Sequence, residues 1–152
     1  MIDNTDRKIL NLLSMDARAS LKQIGDACHL STAGVHLRLK KLEDQGIITG
    51  SKCTIDNSKI GYQTQSFIGI YFDRANIYRK VSQALFAIPE VVECSYTTGN
   101  FSLLIKVLCK DNKHLTEILS NQIQLIEGIA RTETFICLEE TFKREIELRL
   151  EE

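Results

Sequence analysis

No stretch of this 152-residue sequence approaches 18 consecutive apolar residues, and no charged-then-apolar leader opens it. A membrane span and a secretion signal are therefore both unsupported, and a cytoplasmic location is the expectation. Paired cysteines are missing as well. The five cysteines stand at 28, 53, 94, 109 and 137, none in CxxC spacing, so neither a zinc set nor a redox dithiol is indicated. An odd count in apolar surroundings, such as Cys109 after SLLIKVL, reads as buried reduced thiols acting as small hydrophobes. His29, His36 and His114 form no ligand cluster with them. There is no nucleophile–base pair and no Gly-rich phosphate loop, so the sequence does not read as an enzyme, and no metal or resident cofactor is expected. Strong charge of one sign is also lacking. The net charge is −1, and splitting the chain gives residues 1–60 nine cations and seven acids (+2), against ten and thirteen (−3) in the remainder. That asymmetry favours an N-terminal contact with an anion only mildly.

What is present suffices for a core: 43% apolar residues against 26% charged, a balance unlike that of disordered chains. The length permits one domain or two small ones, and the apolar periodicity changes partway along. The first 45 residues read as three helices. DNTDRKILNLLSMD places Ile2, Ile9, Leu10 and Leu13 near helical spacing, with Asp3, Thr5 and Asp6 available to the first turn. In ASLKQIGDACHL, Ser20 and Gln23 have the capping-box spacing, and Leu21, Ile24, Ala27 and Cys28 form the inward stripe. Ser31 is a good N-cap for the third helix. Leu30 and Val35 are placed as a hydrophobic staple, and Val35, Leu39 and Leu42 mark the inward face. Gly46 is a natural stop. The β-branched IITGSKCTID, broken at Thr49-Gly50, predicts a short hairpin, or wing, completing a domain over 1–55.

DNSKIGYQT, 56–64, reads as a linker. From residue 65 strands and helices alternate. QSFIGIYF is a strand. NIYRKVSQALFAI is a helix with Ile77, Val81, Leu85 and Ile88 on one face, ended by Pro89. VVECSYTT and FSLLIKVLC are strands meeting at a tight Gly99-Asn100 turn. DNKHLTEILSNQI is a helix capped by Asp111 or Asn112, and IARTETFICL is a last strand. The order β-α-β-β-α-β over 65–140 is the split βαβ, ferredoxin-like arrangement, giving an α+β fold class. The charged tail, 141–152, reads as a frayed helix. No repeat or low-complexity tract appears.

Two helices joined through Cys28-His29-Leu30 have helix-turn-helix proportions, in which the second helix enters the major groove. Small residues at 31–34 would let that helix end approach a duplex, and its free N–H groups favour phosphate. Ser31, Thr32, Ala33, His36 and Leu37 then become candidate DNA contacts, with Lys40 and Lys41 reaching phosphate one turn later. Arg38 reads two ways: it touches DNA, or it braces an acid such as Asp26. His36 also has a plain reading as an exposed helix residue. The cations of LRLKK have one too, as partners of the helix dipole.

The segment IDNTDRKILNLLSMDARASLKQIGDACHLSTAGVHLRLKKLEDQGIITG resembles the DNA-binding half of the Lrp/AsnC, or feast/famine, regulators. YTTGNFSLLIKV and TETF resemble the effector-sensing half of the same family, its AsnC branch most of all. The resemblance runs from residue 2 to about residue 140. It implies an N-terminal winged helix-turn-helix followed by a RAM/ACT-like βαββαβ domain, homodimers that assemble into octamers, and an amino-acid effector held between dimers. The positions matching that cleft are Tyr96, Thr97, Thr98, Gly99, Asn100 and Phe101, with Gln122, Thr132 and Thr134 as weaker matches. A Gly-containing turn bearing hydroxyls and an amide offers both donors and acceptors to a zwitterion; read alone, TTGN is equally a well-made hairpin. Asparagine is the first candidate effector. The function expected is ligand-modulated regulation of transcription. The alternative is a DNA-architectural protein without ligand response. The chain departs from the family pattern at His29, where Gly is usual, at Thr32, where Pro is frequent, and at Gly34, where a hydroxyl residue is common.

Overall fold

A computed structural model describes residues 2–151, which fall into two compact units. One comprises residues up to Thr54 together with those from Phe142 onward; the other is Ile55–Thr141.

The first unit holds three helices: α1 (Asn4–Met15), α2 (Leu21–Cys28) and α3 (Thr32–Asp44). Each begins where its sequence supplies an acceptor. Asp3 and Asp6 close a capping box at α1, Ser20 and Gln23 close another at α2, and the Ser31 hydroxyl accepts from the Gly34 N–H at 3.1 Å. Ile9, Ile24 and Val35, one from each helix, meet in a small core with Leu12, Leu30 and Leu39 against it. α3 ends in a Schellman arrangement: with Gly46 at φ 67°, the Ile47 N–H donates to Leu42 O and the Gly46 N–H to Glu43 O. This ending bears on the expected wing. Residues 47–56 contain no strand. The Ile47 and Ile48 amides, which a hairpin would need, both go to Leu42 O. The segment instead runs out exposed.

In the second unit a 3-10 turn, Asn57–Ile60, opens the stretch read as a linker. The sheet follows: β1 (Thr64–Phe72), α4 (Tyr78–Phe86), β2 (Val91–Tyr96), β3 (Leu103–Cys109), α5 (Asn112–Ile118) and β4 (Ile129–Ile136). Strand order is β2-β3-β1-β4, with every neighbour antiparallel. Ile68 and Ile70 of β1 and Leu103, Ile105 and Val107 of β3 point to one face, where they bury Ile77 at the entry to α4, Val81 and Leu85 from α4, and Leu115 and Ile118 from α5. Period two on the strands and period 3.6 on the helices thus converge on one apolar layer. The Asp111 carboxylate caps α5, which then widens into a π turn, Leu119–Ile123, that the sequence pattern does not reveal.

Three further expectations need correction. β2 and β3 are joined by residues 97–102, longer than a tight two-residue turn, because the Thr97 N–H donates to Ser102 O and the Thr97 hydroxyl to Phe101 O. The tail is not helical. It runs without secondary structure and packs with the first unit. Among the cysteines, Cys109 is buried and its thiol pKa is pushed up to about 11, chiefly by burial, but Cys53 and Cys94 are exposed.

Candidate DNA-reading surface and effector site

The helix-turn-helix is built tightly. The cap of α2, His29, adopts φ 56°, ψ 45°, and the Leu30 N–H returns to Gly25 O at 2.9 Å. A left-handed residue is needed to reverse the chain there, and His pays a steric penalty that Gly would not. The approach of the turn to α2 is closer still at Gly25, where a Cβ would lie 2.6 Å from Leu30 O.

α3 separates its faces cleanly. Val35 and Leu42 are fully buried, whereas Thr32, Ala33, His36, Leu37, Lys40 and Lys41 are exposed. Leu37 leaves 68% of its surface in solvent. Ser31 sits at the same end, its oxygen accepting from Gly34 while its O–H stays available to donate. Arg38 turns the other way. Its guanidinium reaches Asp3 and Asp6, both at 2.7 Å, and not the Asp26 envisaged from sequence. Asp6 is wholly buried; it also completes the α1 capping box and lies 3.8 Å from the Lys41 ammonium. The Arg38 hydrogen bond and the Asp6 backbone N–H hold the Asp3 carboxyl below its ordinary range, and the two carboxylates raise the Arg38 guanidinium. Arg38 therefore ties α3 to the start of α1, leaving Lys40 and, more loosely, Lys41 as the cations turned outward.

The effector candidates are spread over the second unit. Thr98, Gly99 and Asn100 are exposed in the β2–β3 connection, where Gly99 takes φ 106°. Thr97 is engaged in closing that connection. Tyr96 stacks on Tyr78 of α4, ring centroids 4.7 Å apart, and the pair lines a cleft of about 730 Å³ with Arg74, Arg79 and Ser102. Phe101 lies on the other side of the sheet, over Gly69 and against Tyr71 at 5.4 Å and Phe135 at 6.1 Å. Thr132 and Thr134 pair with Ile70 and Ile68 and so share the helix-covered side. The Thr132 hydroxyl accepts from Gln124 at 3.1 Å, while Gln122 is exposed on the π turn. A single chain thus does not gather these residues around one cavity. The helix-free side of the sheet carries an aromatic cluster in which the Tyr71 hydroxyl donates to Glu133 at 2.9 Å and the Arg131 guanidinium lies 4.0 Å from the Tyr71 ring centre.

Comparison with known proteins agrees with both halves. Residues 2–49 match the model of a winged helix-turn-helix DNA-binding domain, and residues 65–146 that of the Lrp/AsnC ligand binding domain. The regulatory protein AsnC of Haemophilus influenzae is 40% identical over 145 residues, covering 95% of this chain and 97% of its own length. The Escherichia coli K12 AsnC is 37% identical over 146 residues, 96% of each chain. The chain belongs to the Lrp/AsnC family. The solved structure of E. coli AsnC superposes with a TM-score of 0.92 at 36% identity, covering 97% of this chain and 99% of that one. A Neisseria meningitidis transcriptional regulator solved as an L-Met complex shares the fold, with a TM-score of 0.91 at 23% identity over 98% of this chain and 97% of that one. Like its Lrp/AsnC relatives, the chain is a DNA-binding transcription regulator with a ligand-binding domain, and not an enzyme. Among its described residues no helix is long and apolar enough to cross a membrane.

Several contributors escaped the sequence reading. Gly25 looks like an ordinary helix residue, and only the Leu30 carbonyl beside it explains the absence of a side chain. Asp3 and Asp6 were legible as helix-start residues but not as partners of Arg38, some 30 positions away. Gln124, which the sequence reading did not single out, is the residue that donates to Thr132, at 3.1 Å.

Proposed function

We propose that α3 is the recognition helix and that Thr32, Ala33, His36 and Leu37 meet base edges while Ser31, Lys40 and Lys41 meet phosphates. The observation that carries this reading is the outward row of α3, an exposed apolar side chain among small and cationic ones. Leu37 has no core to join, and an apolar contact to a thymine methyl suits it. Arg38, bound to Asp3 and Asp6, is assigned to support of that surface. Selection of binding sites from random duplexes by His36→Ala and Leu37→Ala tests the assignment. Each substitution is expected to change the preferred sequence at one or two positions, and an unaltered preference for both would remove α3 from the groove.

The second unit is proposed to bind a small amino acid, in a cleft completed by another copy of the chain. The separation of Thr132 and Thr134 from Phe101 supports completion by a second copy, as does the uncovered aromatic side of the sheet. Homodimers formed through that side would present two α3 helices to half-sites about one helical turn, roughly 34 Å, apart, and dimers would assemble further, to octamers. Asparagine is the first effector to try, given the likeness to AsnC; the L-Met complex of the Neisseria regulator supports the broader amino-acid class. A cytoplasmic setting goes with this role. Calorimetry against a panel of amino acids is the test. The expected result is heat with at least one of them and a change in DNA affinity in its presence, since a ligand shifts assembly only by binding two states unequally. No heat and no change for any amino acid would favour a purely architectural role on DNA.

A further inference from the structure

The chain passes between its two units twice. The first passage, residues 49–56, has no helix or strand, and every residue in it is exposed. By itself it would be a loose string. The second passage is the C-terminal strap, and it is fastened at both ends.

On the sheet side, the Cys137 N–H donates to Gln65 O at 2.8 Å, and Glu140 accepts from the ammonium of Lys106, a nearly buried β3 lysine, at 3.0 Å. On the helix side, α1 reads the strap's backbone. The Asn11 amide donates to Leu148 O at 2.9 Å and accepts from Leu148 N–H at 2.8 Å. Asn4 does the same to Glu151, both bonds at 2.8 Å. Between them Arg7 donates to Arg149 O at 3.2 Å and pairs with the Glu151 carboxylate. The spacing fits. Asn4 to Asn11 is about 10.5 Å along a helix at 1.5 Å per residue, and Leu148 to Glu151 is about 10 Å of extended chain. Two asparagines two turns apart can therefore each grip the N–H and C=O of one residue of a straight segment, as a neighbouring strand would. From Glu140 to Leu148 the free chain can span at most about 27 Å.

We propose that Asn4, Arg7 and Asn11 are positioning residues for DNA reading: by holding the strap they give each helix-turn-helix unit a second tether, and the two tethers together set the half-site spacing the dimer accepts. A flexible single tether permits many separations of two DNA-reading units; a second short one removes most of them. The inference rests on the proposed pairing of two α3 helices in a dimer.

The test uses full-length protein and a series of operators whose half-sites are moved apart or together by single base pairs. Wild type is compared with Asn4→Ala/Arg7→Ala/Asn11→Ala, which releases the strap, and with a flexible insertion of about six Gly and Ser residues between Thr141 and Phe142. The insertion keeps the strap on α1 and lengthens only the tether, so a role confined to stabilising α1 leaves it without effect. Wild type is expected to favour one spacing by about tenfold, and both variants to flatten that preference to about twofold with single-half-site affinity unchanged. The insertion should melt at the wild-type temperature. If the insertion variant keeps the wild-type spacing profile, the strap is no tether and the proposal falls. If wild type itself binds paired and single half-sites alike, the underlying dimer reading fails first.

Discussion

At the residue scale, the DNA-reading half depends on a few positions where backbone and charge leave little choice. His29 occupies left-handed space that costs an L-residue roughly 1 kcal/mol. His29→Gly should therefore raise the stability of the protein by about 0.5–1 kcal/mol in urea unfolding, with the turn unchanged. Gly25→Ala should do the reverse, since its methyl would meet the Leu30 carbonyl at 2.6 Å; a lower midpoint is expected together with weaker DNA binding, because that carbonyl belongs to the turn that aims α3. Arg38→Ala separates the two readings the sequence left open. It strips the wholly buried Asp6 of its nearest cation. The expected loss is about 1–3 kcal/mol of stability, with DNA affinity restored where the variant is kept folded at low temperature. A variant of wild-type stability that had lost DNA binding would instead make Arg38 a DNA contact.

At the element scale, the clamp between the start of α1 and the middle of α3 should show in acid. Asp3 titrates below its ordinary range when folded, because Arg38 and the Asp6 N–H favour its carboxylate. Its contribution is then fully present above the unfolded aspartate range and is lost as pH falls through the lower, folded value. Stability measured across that window should decline on acidification in wild type and decline less in Asp3→Asn. The β2–β3 connection gives a second element-level expectation. Gly99 at φ 106° has no neighbour near its missing Cβ, so Gly99→Val strains only the backbone. It should abolish the calorimetric response to the effector while leaving the protein folded and DNA binding intact. These elements also show what could be read from sequence. The acceptors Ser20, Ser31 and Asp111 announced their helices because capping is local, and Ile77, Val81 and Leu85 announced α4 because burial follows helical period. The strap and the partner of Arg38 were hidden because each is decided by groups distant in the chain: Asn11 takes Leu148, and Asp6 takes Arg38. The hairpin read over IITGSKCTID fails for a local reason, since the end of α3 takes the Ile47 and Ile48 amides at Leu42 O. Of the candidate site, the outward row of α3 was legible from the inward one, whereas the proposed effector site was not, since the residues matched to it fall on both sides of the sheet.

At the scale of the whole molecule, the uncovered side of the sheet is the feature a lone chain leaves unsatisfied. Phe135 is 49% exposed there beside Phe101 and Tyr71. Phe135→Arg should shift light scattering from dimer or higher assembly toward monomer and weaken binding to paired half-sites far more than to single ones. The central claim is that the outward row of α3 lies against DNA, and the most direct measurement of it is a salt titration of duplex affinity for the full chain and for Lys40→Ala. The expected result is weaker binding to every sequence and a plot of log affinity against log salt that is shallower by about one. Equal affinity and an equal slope in the two proteins would contradict it.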